Sequence, residues 1–166
     1  MFDVDIIFDG ITVSGIDKSD ILKIQHWMNS QRDVEVNFKD FFERFVEYYM
    51  SENEVFLKIE RENKILGLLK GRIEFKNNNE FLIWYYIIDD KYRGKGLGSL
   101  ILNSIQNYFI KEFNIKDFFA IVNEDNKQGL RFWNKNHFYL LRVAKDFFEK
   151  DHEMKDMFVL KRTSKA

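Results

Sequence analysis

Eight consecutive residues in the middle of the chain, Phe81-Leu82-Ile83-Trp84-Tyr85-Tyr86-Ile87-Ile88, are all apolar or aromatic. In an extended segment side chains alternate between faces, so such a run is apolar on both and must be covered on both. It is expected to be a central strand with helices on either side, ending at Asp89-Asp90, which read as solvated strand-end charges. Upstream, the same period-two reading gives Val55, Leu57 and Ile59 on one strand and Ile65 to Phe75 on its return. Polar turns at Glu62-Asn63-Lys64 and at residues 76–79 complete a three-strand meander.

The flanking segments supply the covering elements. Phe2, Val4, Ile6 and Phe8 alternate with mostly acidic neighbours, Gly10 makes a turn, and Ile11-Thr12-Val13 follows, so either segment can be the first sheet strand. Asp17 or Ser19 can cap a helix reaching about Asn29, and Phe38, Phe41, Phe42, Phe45, Val46 and Tyr49 then fall at helical spacing as a core stripe. Downstream, Leu97, Leu100, Ile101, Ser104, Ile105, Tyr108 and Phe109 trace one face of another helix. Phe118 to Val122 reads as a short buried strand, and Asn123 can cap a helix running to about Lys135. Phe138 to Val143 and Met157 to Leu160 read as strands around a charged turn at Lys150-Asp151. At 166 residues and 45% hydrophobic, with no repeat or linker, one domain over residues 1–166 is expected.

Composition removes several function classes. The chain has no cysteine, which excludes disulfides, thiolate metal ligands and a Cys nucleophile. His26, His137 and His152 stand far apart without ligand-like spacing, so no metal site is expected. No apolar run reaches the length of a membrane span and the start is acidic, so a soluble cytoplasmic protein is expected, with no membrane partner. The net charge of −1 hides an asymmetry: residues 1–60 hold 13 acids and 6 bases, residues 61–166 hold 14 acids and 20 bases. That division suits a cationic substrate and an anionic cofactor. It also admits an RNA-binding reading, but the later bases are spread among acids and carry no RNA-binding signature, so no nucleic acid partner is expected.

The chemistry concentrates where the central strand gives way to Arg93-Gly94-Lys95-Gly96-Leu97-Gly98 and then a helix. Successive backbone N–H groups at such a turn point to one place, beside the positive end of the helix dipole, and an anion fits there. Glycines let it approach, while Arg93 and Lys95 add charge. The spacing matches neither the Walker pattern nor the dinucleotide fingerprint.

This segment resembles the Arg/Gln-x-x-Gly-x-Gly/Ala signature of the GNAT acetyltransferases, with Ile88 in the place of that family's usual Val and Asp90 where many members have Pro. A second stretch, Asn126-Lys127-Gln128-Gly129-Leu130-Arg131-Phe132-Trp133 with His137-Phe138, is similar to the family's Asn-x-x-Ala-x-x-Phe-Tyr…Gly-Phe segment. The resemblance implies an α/β fold of the α+β kind, a mixed and mostly antiparallel central sheet of about seven strands flanked by about four helices. It implies a bulge in the strand before the signature, and a cleft that pantetheine enters by strand-like hydrogen bonds. It also implies acetyl-CoA as co-substrate, held by Ile87, Ile88, Arg93, Gly94, Lys95, Gly96, Leu97, Gly98, Asn126 and Trp133. Trp133 stands where the family often has the Tyr that protonates the leaving thiolate, and an indole is no practical acid.

The reaction so implied is attack of a primary amine on the acetyl thioester in a ternary complex. The amine must first lose a proton, for which Glu80, Tyr85 and Tyr86 are candidate catalytic residues, and a backbone N–H near Ile88 would stabilise the oxyanion. Asp33, Glu35, Asp40, Glu43 and Glu47 on the first two helices are candidates to attract a cationic acceptor, whether small molecule or peptide. The alternative within the same fold is an acyl-CoA sensor without catalysis. The protein is expected as a monomer or homodimer.

Overall fold

The computed structural model describes residues 2–32, 38–76 and 78–164. In order, the chain forms β1 (Asp5–Phe8), β2 (Ile11–Gly15), α1 (Ile21–Asn29), α2 (Phe38–Met50), β3 (Glu54–Arg61), β4 (Lys64–Phe75), β5 (Asn79–Ile88), α3 (Leu97–Phe113), β6 (Asp117–Asn123), α4 (Lys127–Lys135), β7 (Tyr139–Lys150) and β8 (Glu153–Thr163). The eight strands make one sheet in the order β1-β2-β3-β4-β5-β6-β8-β7. Every pairing is antiparallel except β5 with β6. Both N-terminal segments are strands, closed by Asp9-Gly10 with φ of 46° and 75°, so the sheet has one strand more than expected. Positive φ at both residues of a two-residue loop matches the right-handed twist of the strands it joins, and Glu62-Asn63 and Asp151-His152 use the same geometry.

The sheet is covered on both faces, as the apolar run in β5 requires. Ile24, Trp27 and Met28 of α1 and Phe41, Phe45 and Tyr48 of α2 pack with Phe56 and Leu68 on one face, joined by Tyr85 and Ile87. On the other, Ile101, Leu102, Ile105 and Phe109 of α3 and Trp133 of α4 pack with Phe81, Ile83 and Ile88. The change of parity along β5 has a local cause. Lys70 of β4 pairs with Tyr85 and the next residue, Gly71, pairs with Ile83, so Trp84 is one residue too many. The bulge moves every later side chain of β5 to the opposite face from the one strict alternation would give.

Several boundaries depart from the sequence reading. Helix α4 starts at Lys127 with Asn126 as its cap, while Asn123 ends β6, because the Asn126 side chain is the one that accepts from an N–H of the first turn. Leu102 is buried and Leu100 exposed on α3, and Phe42, Val46 and Tyr49 of the α2 stripe face outward, since the helix is covered on one side. The side chain of Phe38 lies outside the described residues. Strands β7 and β8 extend well past the apolar cores that marked them, a two-stranded hairpin needing no apolar alternation where it leaves the core.

Candidate active site

Strands β5 and β6 run parallel and pair from Glu80 with Asp117 to Ile83 with Ala120, and then part, although β5 continues to Ile88 and β6 to Asn123. The bulge at Trp84 sits where the pairing stops. Beyond it the Asp89 N–H donates to Leu66 O of β4 at 2.7 Å. Because bonding direction alternates along a strand, the backbone groups of Ile88 and Tyr86 face the opposite way, into the wedge between β5 and β6. Of the two residues expected to meet a pantetheine arm, Ile88 has its N–H on the wedge side, where an oxyanion was also expected, whereas the backbone of Ile87, opposite Leu68, faces β4 by the same alternation.

At the wide end of the wedge lies the glycine-rich turn. Gly94 and Gly96 have φ of 76° and 79°, which a side chain would strain, and Gly96 is the residue before the first turn of α3. A Cβ at either position would meet no protein atom within 4 Å, so the space above the turn is open to a ligand. Gly94, Lys95 and Gly96 are exposed, Leu97 and Gly98 half-buried. The residues present therefore fit a pyrophosphate, with seventeen residues of helix behind the amides. The Arg93 guanidinium is braced by the chain itself: its Nε–H donates to Ile88 O at 2.9 Å and it pairs with Asp90 at 3.0 Å.

The three candidates for proton transfer are brought to three different places. The Tyr86 hydroxyl points to the α3 face and donates to Gly98 O at 2.7 Å, where burial raises its pKa. Tyr85 points to the α2 face, where burial holds its phenol protonated far above neutral pH. Glu80 sits near the other end of β5, opposite Glu74 and Asp117. Trp133 is 7% exposed, with its ring 4.8 Å from Phe138 and 6.3 Å from Tyr86, so it is packed in the core at the base of the wedge. The Asn126 Oδ1 accepts from the Gly129 N–H at 2.8 Å, capping α4. Tyr139 is exposed on β7, near α3.

On the α2 face a cleft of about 630 Å³ opens against the bulge, lined by Arg44, Glu47, Glu54, Lys70, Trp84 and Tyr85 among others. Of the acidic residues expected to draw an acceptor, Glu47 lines it, Asp40 and Glu43 do not, and Asp33 and Glu35 lie outside the described residues. The floor carries a pair the sequence reading missed: Lys70, buried among apolar residues of β4, bonds Glu54 of β3. A lysine in the middle of Leu66-Gly67-Leu68-Leu69-Lys70-Gly71 was its one visible sign.

Asp89 was also missed, and it is not a solvated charge. It is 8% exposed, and its carboxylate accepts from Trp27 Nε1 at 2.8 Å, Gln31 Nε2 at 3.3 Å and the Lys91 N–H at 3.0 Å. Burial pushes its pKa up, but these hydrogen bonds prevail and hold it below the usual carboxylate range.

Comparisons with known proteins give the family and the fold. A family model described as an acetyltransferase (GNAT) domain matches residues 13–159. The chain belongs to the GNAT acetyltransferases, a family of enzymes that use acetyl-CoA. Among curated proteins it is similar to Acetyltransferase PseH of Campylobacter jejuni. With one strain's protein it is 24% identical over 68% of this chain and 69% of that protein. With another it is 32% identical over 32% of this chain and 34% of that protein, so the chain spans about a third of that relative's length. Among solved structures it resembles the ribosomal-protein-S5-alanine acetyltransferase of Vibrio fischeri, with TM-score 0.76 and 17% identity over 97% of each chain. The ribosomal-protein-S18-alanine N-acetyltransferase of Escherichia coli gives TM-score 0.74 and 13% identity, over 92% of this chain and 93% of that one. Arabidopsis thaliana Naa50 bound to a bisubstrate analogue gives TM-score 0.69 and 16% identity, over 93% and 99%.

Proposed function

We propose that the protein transfers an acetyl group from acetyl-CoA to a primary amine, by direct attack in a ternary complex. The observation that carries this is the wedge between β5 and β6 ending on the 93–98 turn, since it offers one substrate both a strand edge and a phosphate cradle. The backbone amides of residues 93–98 would hold the pyrophosphate, and Lys95 would add charge at the rim. The Ile88 N–H would donate to the acyl oxygen as charge develops on it.

The acceptor amine would come from the α2 face, through the cleft beside the bulge. An aliphatic ammonium with a pKa near ~10 must lose a proton first, and Glu47 is the exposed carboxylate of that cleft. Tyr85, which lines the same cleft, would be a hydroxyl placed to pass a proton to the leaving thiolate in place of the tyrosine that Trp133 replaces. A small-molecule amine or a peptide N-terminus remains open as acceptor, and the site of action would be the cytoplasm. The second reading, a sensor that binds acyl-CoA without turnover, draws on that same Trp133.

Calorimetry with CoA and acetyl-CoA, followed by CoA release over an amine panel, tests both. Binding with turnover is expected; binding without turnover of any amine would favour the sensor, and no binding at millimolar cofactor would end the proposal. Gly96→Val should bind CoA at least ten times more weakly with the fold intact, because valine resists the φ of 79° and its methyls enter the cradle.

A further inference from the structure

A buried carboxylate lies directly beside a turn that has to attract a pyrophosphate. Asp89 follows Ile88 at the end of β5, and among the described residues its side-chain donors are an indole, an amide and a backbone N–H. By charge alone this residue opposes an anionic ligand at the turn. Its hydrogen bonds describe another role. Its N–H is fixed to Leu66 of β4, its carbonyl accepts from Tyr92 N at 2.9 Å, one carboxylate oxygen caps the short helical turn Asp90–Tyr92 through Lys91, and the other takes Trp27 and Gln31. Every polar atom of the residue is engaged.

The same knot includes its neighbour. The Gln31 Oε1 accepts from Asp90 N at 2.8 Å, and Asp90 accepts from the Arg32 N–H at 2.8 Å while pairing with Arg93. The end of α1 is thereby fastened to the five-residue segment between the last residue of the strand and the first glycine of the turn.

We propose that Asp89 is a positioning residue for the cofactor's pyrophosphate, fixing the strand end and the backbone leading into residues 93–98 so that their amides converge. The proposal rests on the acetyl-CoA reading and assigns this carboxylate no contact with the ligand. Its consequence opposes simple electrostatics. Removing the negative charge should weaken CoA binding, whereas a charge acting only through its field would, on removal, tighten it.

The test is Asp89→Asn in the whole protein, with CoA affinity read by calorimetry and pantetheine affinity by magnetic resonance titration. Asparagine keeps the shape but turns an NH₂ toward donors on one side or the other. The CoA dissociation constant should rise at least tenfold while that of pantetheine, which has no pyrophosphate, stays the same. Trp27→Phe and Gln31→Ala, which alter no charge, should weaken CoA severalfold in the same direction. Unchanged or tighter CoA binding by Asp89→Asn, or an equal loss for pantetheine, overturns the proposal. If Asp89→Asn does not fold, Gln31→Ala decides, and unaltered CoA affinity in it overturns the proposal. Wild-type protein that binds no CoA would instead sink the acetyl-CoA reading itself.

Discussion

At the scale of single residues, two adjacent tyrosines pack on opposite faces of the sheet, and the proposed function gives them different tasks. Tyr86 is bonded to the first turn of α3 and Tyr85 opens on the acceptor cleft. Tyr86→Phe should therefore loosen CoA by about 0.5–1.5 kcal/mol, the value of one ordinary hydrogen bond, and change kcat little. Tyr85→Phe should lower kcat by roughly a hundredfold with CoA affinity unchanged, within the range for losing a general acid. Steady-state kinetics beside calorimetry distinguishes the two. Asp89 predicts a pH effect. Its folded pKa is depressed, so the stability it contributes is present above the unfolded value near ~3.9 and is lost as pH falls through the lower folded value. Thermal melts across the acid range should show that limb in the wild type and a smaller one in Asp89→Asn. The sequence could not reveal this, since Trp27 and Gln31 lie 62 and 58 positions away and only the fold unites them with Asp89. Trp133, legible as a departure from its family, is buried against Phe138; Trp133→Phe should cost about 0.5–3 kcal/mol of stability in a denaturant titration and retain most of kcat.

At the scale of elements, the strands, the turn and α3 were legible because each is written locally, in an apolar run, spaced glycines and a helical stripe. The bulge was not. A run apolar on both faces carries no record of which residue is supernumerary, and the partner strand decides it: Gly71 opposite Ile83 leaves Trp84 outside the ladder. That one residue sends Tyr85 to the acceptor cleft and Tyr86 to α3. Deleting Trp84 should regularise the ladder and turn the side chains of one half of β5 against the wrong layer. That deletion should abolish CoA binding, and a large fall in Tm with loss of near-ultraviolet dichroism would register the repacking. The proposed acceptor side showed in the sequence only as an acidic helix; of that helix's carboxylates among the described residues, Glu47 lines the cleft. If the acceptor is cationic, Glu47→Lys should raise its KM severalfold while leaving the KM for acetyl-CoA alone, and added salt should raise the wild-type KM as well.

At the scale of the molecule, the two helical layers divide the work. On the proposed reading the layer of α3 and α4 would carry the phosphate cradle, the layer of α1 and α2 would carry the acceptor cleft, and the sheet between them would hold the reacting groups. What joins them is the place where β5 and β6 separate after four paired residues. There the sheet has an edge in its own interior, a pair of backbone margins held apart within a continuous eight-stranded array. Proteins elsewhere blunt or cover such margins because any extended chain can dock on them. Here the margin is kept short, recessed and flanked by helices, so that only a slender ligand can lie along it. If the proposed cofactor lies there, the molecule borrows its missing strand from solution, and the amides of Tyr86 and Ile88 should exchange hydrogen freely when alone and become protected when that borrowed strand is in place.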